Sequence, residues 1–291
     1  MQITAAMVKE LRERTGAGMM DCKKALQNAA GNIETAIEEM RKSGVAKAEK
    51  KAGRIAAEGN IVIKQDNTTG ETVILEVNSE TDFVAKDENF KSFADKVAEC
   101  ILKNHPSNVT ALTELTMDDQ CVEEARQQLV TKIGENISIR RFNLIKSDGN
   151  IGNYLHGHRI GVVIELEGGD EVLAKDLAMH VAASRPVCVS ENEVPQELVD
   201  KEKKIFIAQA AESGKPPEIV EKMVTGKLNK FLKEITMVGQ PFVKDPDQTV
   251  GKLLASSSAS VKQFIRYEVG EGLEKRSDNF AEEVMAQAQG D

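Results

Sequence analysis

The sequence predicts an α+β protein in which small antiparallel sheets are each covered by helices. Two observations lead to this fold class. Apolar residues recur at helical spacings of three, four and seven, and other segments place short β-branched runs on either side of turn-forming residues. Strands followed by a helix occur twice, so we expect two related subdomains. At 291 residues the chain is long enough for two or three separate cores.

The first 44 residues are predicted to form three short helices. Thr4 is a suitable N-cap for the first helix, which should end in the loop at 15–18. Gly31 follows the second helix, and Gly44 is expected to end the third. Residues 46–59 are rich in alanine and basic side chains and predict a linker that is helical in part.

The first subdomain should begin with a β-hairpin. Two β-branched runs, 61–63 and 72–77, flank a turn composition at 66–70. An amphipathic helix should follow, because its apolar residues share one face: Phe90, Phe93, Ala94, Val97 and Ile101. A further helix is expected over residues 119–133, between the two subdomains.

The second subdomain should repeat the same order. Its predicted elements are strands at 137–145 and 151–155 around a turn at 147–149, a strand at 160–166, and a helix from Val172 to Val181. The last strand candidate, 261–269, is expected to return to this sheet.

Two amphipathic helices, 196–213 and 217–233, are joined by a Gly-Lys-Pro-Pro segment and predict a helical hairpin. A hairpin cannot bury its apolar stripe alone, so it should dock on the body or on a second chain. The stripe consists of Leu198, Ile205, Phe206, Ile219, Met223, Leu228 and Phe231. A terminal acidic helix is predicted over 278–288, with Phe280 on its apolar line.

Composition narrows the possible classes of function. No apolar run approaches the ~20 residues of a membrane helix, and the N-terminus lacks a basic and apolar leader, which predicts a cytoplasmic protein without membrane contact. Residues 1–54 carry 11 basic against 7 acidic side chains, but the rest carry 27 against 40. Because an acidic body repels phosphate backbones, no direct nucleic-acid binding is expected, although the basic N-terminal segment leaves it open as an alternative. Four widely spaced cysteines predict reduced, structural thiols.

The sequence contains no recognisable catalytic signature. The P-loop, nucleophile-elbow and zinc-protease motifs are absent. His156 and His158 alternate on a predicted strand and could share a metal ion, but a third ligand has no obvious source. We favour two exposed histidines with unrelated roles and leave the metal alternative open. We expect no enzyme activity and no cofactor.

The segment Thr81-Asp82-Phe83-Val84-Ala85 places an aromatic side chain in an acidic connection between a strand and a helix. Aromatic residues are scarce, with nine Phe, two Tyr and no Trp, so a contact surface is a natural reading of this position. The alternative is that Phe83 plugs the core while Asp82 caps the next helix.

Met19 and Met20 follow the glycine loop of the N-terminal module. Adjacent flexible apolar side chains suit an adaptable contact surface. The alternative, that both lie in the core, stays equally open at this point.

Six segments then carry a resemblance that spans the chain: 11–26, 81–85, 132–136, 180–184, 240–243 and 268–272. They resemble the elongation factor Ts family of bacteria, the guanine nucleotide exchange factors of elongation factor Tu. The resemblance implies a ubiquitin-associated-like three-helix module, a core of two subdomains, a helical-hairpin dimerisation insert and a C-terminal helical module. On this sequence the implied N-terminal module with its linker spans 1–55, and the core N-subdomain spans 56–149. The core C-subdomain consists of 150–190 and 239–270, on either side of the insert of the long form at 191–238. The C-terminal module spans 271–291.

The resemblance also implies a function in translation elongation. Phe83 would wedge between helices of the GTPase domain and Asp82 would disturb its Mg²⁺, while Thr81 and Val84 shape the loop. The implied partner is elongation factor Tu, GDP-bound and nucleotide-free, and GDP release is followed by a nucleotide-free state that lasts until GTP binds. Further partner contacts are implied at Met19, Met20, His156 and Phe280. A homodimer through 191–238, a two-plus-two complex, and a non-catalytic adaptor that uses the three-helix module stay open as alternatives.

Overall fold

The structure is a computed structural model that describes residues 3–212 and 214–274. Its helices are α1 Ala5–Thr15, α2 Met19–Asn28, α3 Ile33–Ala52, α4 Asp82–Ala85, α5 Glu88–Asn104, α6 Val109–Thr113, α7 Val122–Ile133, α8 Glu171–Ser184, α9 Gln196–Ala211, α10 Pro217–Ile235 and α11 Val250–Ser256. Its strands are β1 Glu58–Asp66, β2 Glu71–Ser79, β3 Thr116–Met117, β4 Gln120–Cys121, β5 Ile137–Lys146, β6 Asn150–His156, β7 Ile160–Glu167, β8 Pro241–Phe242, β9 Asp245–Thr249 and β10 Ser260–Glu268. The predicted α+β class is confirmed.

The described residues divide into two compact units. Unit 1 contains the described parts of Met1–Val62, Leu75–Phe142 and Val269–Asp291, and unit 2 contains Ile63–Ile74 and Asn143–Glu268. One three-stranded sheet has the order β1-β2-β5 and the other has the order β10-β7-β6. In the second sheet both outer strands pair antiparallel with β7. The predicted return of the last strand to the second sheet is confirmed.

The expected repeat of the first hairpin around residues 147–149 is wrong. β5 lies beside β2, whereas β6 lies beside β7, so the runs on either side of this turn belong to different sheets. All nine residues of β2 are buried, which is typical of a central strand. Such a strand needs a hydrogen-bonded neighbour on each edge, and β1 and β5 provide them.

The three predicted N-terminal helices are confirmed. The Thr4 hydroxyl accepts a hydrogen bond from Met7 N at 3.3 Å, and the Asn32 side chain caps α3 by accepting one from Thr35 N at 3.0 Å. Gly16 ends α1 in the left-handed region, at a φ of 66°. The core of this module is small and almost wholly apolar: Val8, Leu11, Ala17, Cys22, Ala25, Leu26, Ala29 and Ala36.

The predicted end of the third helix at Gly44 is wrong, because α3 continues to Ala52. Gly44 is buried where α3 packs against α7, and its carbonyl oxygen accepts a hydrogen bond from Thr131 Oγ1 at 3.4 Å. A Cβ atom at residue 44 would lie 3.1 Å from Thr131 Oγ1. Gly44 therefore allows α3 to cross α7 closely and does not end the helix. The first half of the predicted linker is consequently helical.

Two helices of unit 1 follow the predictions closely. α5 buries the expected apolar face, including Phe90, Phe93 and Ile101. The helix expected over 119–133 begins later, at Val122, because Cys121 caps it: Cys121 Sγ accepts a hydrogen bond from Glu124 N, and Glu124 Oε2 accepts one from Cys121 N.

The core of unit 2 lies between α8 and the β10-β7-β6 sheet. Its largest buried side chains include Ile164, Leu166 and Leu177, and Met237 joins them from the segment after α10. Gly152 of β6 allows α8 to approach closely, since a Cβ there would lie 2.3 Å from the backbone of Ala174. This contact explains why a glycine occupies the middle of a strand.

The two helices of the hairpin, α9 and α10, are confirmed. They contact each other through Phe206 and Phe231, whose rings meet edge to face with centroids 6.2 Å apart. Three large apolar side chains nevertheless stay exposed: Ile205, Ile207 and Ile219. The hairpin thus leaves part of its apolar surface in water.

The predicted terminal helix at 278–288, with Phe280, lies outside the described residues. Within residues 3–212 and 214–274, none of the helices has the length and apolar character needed to cross a membrane.

Candidate functional site

The loop that carries Asp82 and Phe83 begins where β2 ends. Ser79 Oγ donates a hydrogen bond to the Thr81 carbonyl oxygen at 2.9 Å. Thr81 has an extended backbone and caps α4, because its hydroxyl accepts a hydrogen bond from Val84 N at 3.4 Å. This bond pairs one of the amide groups that a helix N-terminus leaves without a partner. Thr81 therefore fixes the first turn of α4.

Phe83 points into solvent while its neighbours point inward. Its side chain is 79% exposed, whereas Val84 is 7% and Ala85 1% exposed. The alternative in which Phe83 plugs the core is wrong. Its second part is also wrong, because α5 is capped by Asp87 rather than by Asp82. The loop presents a bare aromatic ring above a buried base.

Asp82 and Lys86 form an ion pair beside this ring, with Nζ 2.7 Å from Oδ2. The Lys86 ammonium also lies 5.9 Å from the centre of the Phe83 ring. Lys86 is 60% and Asp82 47% exposed, and exposed pairs contribute at most about 1 kcal/mol.

Glu135, which the sequence did not single out as a site residue, anchors the loop from the segment between α7 and β5. Its carboxylate accepts hydrogen bonds from Thr81 N at 3.0 Å and from Thr81 Oγ1 at 2.7 Å. A carboxylate acceptor makes both bonds stronger than bonds to a neutral group. The contact joins residues 54 positions apart, so no local pattern could have indicated it.

Two further side chains support the base of the loop. Asn60, which is buried on β1, donates from Nδ2 to the Ala85 carbonyl oxygen at 2.9 Å. Asp87 accepts hydrogen bonds from Asn89 N and Phe90 N at the start of α5. The hydrogen bond from the Asn89 side chain, together with these amides, holds the pKa of Asp87 below its ordinary value. Asp87 is therefore an ionised cap at neutral pH.

Met19 and Met20 are 61% and 74% exposed at the start of α2. The alternative that places both in the core is wrong. The N-cap residue of this helix is Gly18, which makes no side-chain capping bond. These two flexible apolar side chains therefore stand on an uncapped helix end.

Comparison with known proteins decides the family. A family model described as "Elongation factor TS" matches residues 80–271. The chain is 63% identical to elongation factor Ts of Thioalkalivibrio sulfidiphilus and 59% identical to that of Alkalilimnicola ehrlichii, in both cases over the full length of both chains. It is 58% identical to elongation factor Ts of Legionella pneumophila over 98% of each chain.

The chain belongs to the elongation factor Ts family. It is therefore a translation elongation factor, with a role in protein biosynthesis. Several of the segments that resemble the elongation factor Ts family have structural roles in the fold.

The segments at 180–184 and 240–243 meet in unit 2. His180 is fully buried, and its Nε2 lies 3.1 Å from Gln240 Oε1. Its Nδ1 accepts a hydrogen bond from Val243 N at 3.3 Å, which places the proton of a neutral ring on Nε2. Burial lowers the pKa of His180, only partly opposed by Gln240. In this elongation factor Ts chain His180 is thus a neutral core residue.

The segment at 268–272 meets β2 in unit 1. Glu76 is fully buried and accepts hydrogen bonds from Arg141 Nε at 2.7 Å, Gly270 N at 2.8 Å and Arg140 Nη1 at 3.0 Å. Burial by itself raises the pKa of Glu76, but these donors, with Asn78, outweigh it and lower the pKa overall. An ionised carboxylate therefore fastens the chain after β10 to the first sheet.

His156, a predicted contact residue, lies at the exposed end of β6 in unit 2, with Nδ1 3.3 Å from the Tyr154 hydroxyl. His158 follows in the turn to β7. Among the residues that the structure describes, no group of three His, Cys, Asp or Glu side chains is arranged to hold a metal ion. Phe280, the last predicted contact residue, lies outside the described part of this elongation factor Ts chain.

Proposed function

We propose that this protein is a guanine nucleotide exchange factor for elongation factor Tu. It binds the GDP form, disturbs the Mg²⁺ and phosphate site, releases GDP and stabilises the nucleotide-free state until GTP binds. It carries out no chemical reaction of its own and acts in the cytoplasm. The observation that carries the proposal is the exposed Phe83 ring beside the Asp82 carboxylate on a firmly supported loop.

The mechanism follows from how a GTPase holds its nucleotide. Mg²⁺ and the loops around the phosphates contribute much of the affinity, and the helices that carry those loops set their positions. An aromatic ring that enters between two such helices displaces them, and order in those loops is then lost. Asp82 supplies a negative charge at the same end of α4, where it can disturb the coordination of the ion.

Phe83 alone is too weak to drive exchange. A thousandfold acceleration requires a barrier lower by about 4 kcal/mol, whereas burial of one Phe side chain contributes roughly 2 to 3 kcal/mol before any ordering cost. Additional contact area is therefore needed. Met19 and Met20, both exposed, and the predicted contacts at His156 and Phe280 are our candidates for it.

Exchange in this scheme is reciprocal. A protein that weakens the binding of GDP must itself be bound less tightly when the nucleotide is present, by the same factor. We therefore expect the complex with nucleotide-free elongation factor Tu to be the tightest, and GTP to displace this protein from it.

The deciding experiment is stopped-flow release of a fluorescent GDP analogue from elongation factor Tu, with and without this protein. Accelerated release that saturates with protein concentration, together with dissociation of the complex by GTP, supports the proposal. Binding without faster release would point to the second candidate, an adaptor that uses the three-helix module, which the exposed Met19 and Met20 would favour.

The helical hairpin bears on assembly. Ile205, Ile207 and Ile219 are exposed on α9 and α10, which supports the proposal that residues 191–238 are a dimerisation insert. A second copy would cover these side chains in a homodimer or in a two-plus-two complex with elongation factor Tu. Light scattering of the free protein and of the complex separates the two.

A further inference from the structure

We propose that Glu135 is a positioning residue for nucleotide exchange: it sets the direction of the Phe83 ring through Thr81. The inference rests on the proposed exchange function and adds to it a residue that lies outside the loop itself. Glu135 bonds Thr81 twice, the loop is weak without these bonds, and the segment that holds Glu135 is itself well fixed.

Glu135 makes two hydrogen bonds to a single residue. Thr81 donates from its amide to Oε2 at 3.0 Å and from its hydroxyl to Oε1 at 2.7 Å. Two bonds to the two oxygens of one carboxylate fix orientation as well as distance. The Thr81 hydroxyl at the same time accepts from Val84 N, so the restraint passes directly into the first turn of α4.

The loop needs this restraint because α4 has only four residues. A helix of this length is unstable on its own, since the cost of the first turn is not repaid by further hydrogen bonds. The Phe83 ring makes little packing contact of its own at 79% exposure. Apart from Lys86, which lies 5.9 Å from the ring centre, the direction of the ring depends on the backbone of α4, whose first turn is tied down at Thr81 and whose last residue is held by Asn60.

Glu135 is itself held by neighbours on both sides. The Gly134 carbonyl oxygen accepts a hydrogen bond from Lys51 Nζ at 2.6 Å, and Asn136 N donates to Glu80 Oε1 at 2.6 Å. Asn136 is buried, and its Nδ2 donates to the carbonyl oxygens of Ala52 and Arg54. The Glu135 carboxylate is therefore held in a fixed position from which it can orient the loop.

This arrangement predicts a specific kinetic effect. Glu135→Ala leaves Phe83 present but less well directed, so the maximal rate of GDP release should fall roughly tenfold, within the range that small misplacements of a reacting group produce. The concentration of protein that gives half the maximal rate should change less than threefold or so, because the exposed methionines still bind. Glu135→Gln, which can accept only one of the two bonds, should lie between.

The test is a double-mutant cycle with Phe83→Ala, measured as the maximal rate of fluorescent GDP release from elongation factor Tu. If Glu135 acts through Phe83, then Glu135→Ala slows release in the wild-type background and has no further effect in the Phe83→Ala background. Hydrogen exchange of the free protein should show faster exchange at Val84 N in Glu135→Ala. The matched control is Glu123→Ala, which removes a carboxylate paired to Arg126 on α7 and should leave the maximal rate unchanged.

Two results would overturn the inference while leaving the proposed function intact: a wild-type maximal rate for Glu135→Ala when Phe83→Ala is slow, or equal losses from Glu135→Ala in both backgrounds. A wild-type rate for Phe83→Ala would instead overturn the proposed function and this inference with it.

Discussion

The Phe83 loop and the Met19–Met20 surface are both apolar and exposed, yet they are built in opposite ways. Phe83 stands on a short helix that is tied down by side chains from three other segments: Ser79, Asn60 and Glu135. Met19 and Met20 stand on a helix end whose N-cap, Gly18, makes no side-chain bond. A stiff ring suits displacement of a partner's helices, whereas flexible thioethers suit adhesion to a surface of variable shape. We therefore expect the first surface to govern rate and the second to govern affinity.

The largest expected effect comes from removal of the ring. Phe83→Ala should lower the maximal rate of GDP release roughly 30- to 160-fold, because about 2 to 3 kcal/mol of apolar burial is lost where the partner's helices separate. Stopped-flow release measures the rate, and thermal unfolding should be unchanged because the side chain is exposed. Val172→Ala, at a side chain that is 68% exposed in unit 2, is the matched control. A rate within twofold or so of wild type would remove the ring from the mechanism.

The next largest effect should be on the affinity for elongation factor Tu. Replacement of both Met19 and Met20 by Ser should raise the concentration for half-maximal exchange roughly tenfold, since part of two apolar contacts is lost. The maximal rate at saturation should stay close to wild type. Met7→Ser, at a side chain that packs against the core of the same module, should lower the melting temperature instead. If the maximal rate fell while the half-maximal concentration stayed unchanged, the assignment of rate and affinity to the two surfaces would be wrong.

A smaller effect on the exchange rate should follow from loss of the Asp82 charge beside the Phe83 ring. Asp82→Asn should slow exchange about three- to fivefold in the presence of Mg²⁺ and have little effect once a chelator has removed the ion, because the carboxylate acts on the ion. Stability should change by less than about 1 kcal/mol, as expected for loss of an exposed pair with Lys86. Lys86→Ala breaks the same pair without removing the carboxylate. An equal loss of exchange rate for Asp82→Asn with and without Mg²⁺ would show that Asp82 does not act through the ion.

The smallest effect on exchange should come from Glu76, on the strand that leads to the Phe83 loop, because this residue contributes to stability. The folded-state pKa of Glu76 lies below its ordinary value of 4.5, so its ionised form stabilises the sheet above that pH, and the contribution is lost as the pH falls from about 4.5 through the folded-state pKa. Denaturant unfolding monitored at successive pH values should show unit 1 weakening over this range. The apolar core beneath Met19 and Met20 has no such group and should respond less. Glu76→Gln should be less stable near neutral pH and should have a shallower pH profile, whereas an unchanged profile would assign the acid sensitivity to other carboxylates.

The sequence was most informative where structure depends on nearby residues. Helical spacing identified α5 and the hairpin α9–α10, and turn composition identified the β1–β2 hairpin. The exposed position of Phe83 was one of two alternatives that the residues left open, and its scarce aromatic type in an acidic connection favoured a contact surface.

The errors arose where a distant neighbour decides the outcome. Gly44 predicts a helix stop because its contact with Thr131 on α7 is not visible locally. The β5 segment predicts a second hairpin because the sequence does not show that β2 needs a second neighbour. Glu135 is the clearest case, since its importance depends wholly on Thr81, 54 residues earlier.

The continuity of α3 has a mechanical consequence. Its 20 residues form a rod about 30 Å long, with one end in the N-terminal module and the other held by Lys51 and Asn136. A tilt of only about 5° at the held end would shift the far end by between 2 and 3 Å, roughly half a helical turn. If α3 moves as a rigid body, a tilt beside the segment that holds Glu135 would thus displace the module that carries the methionines.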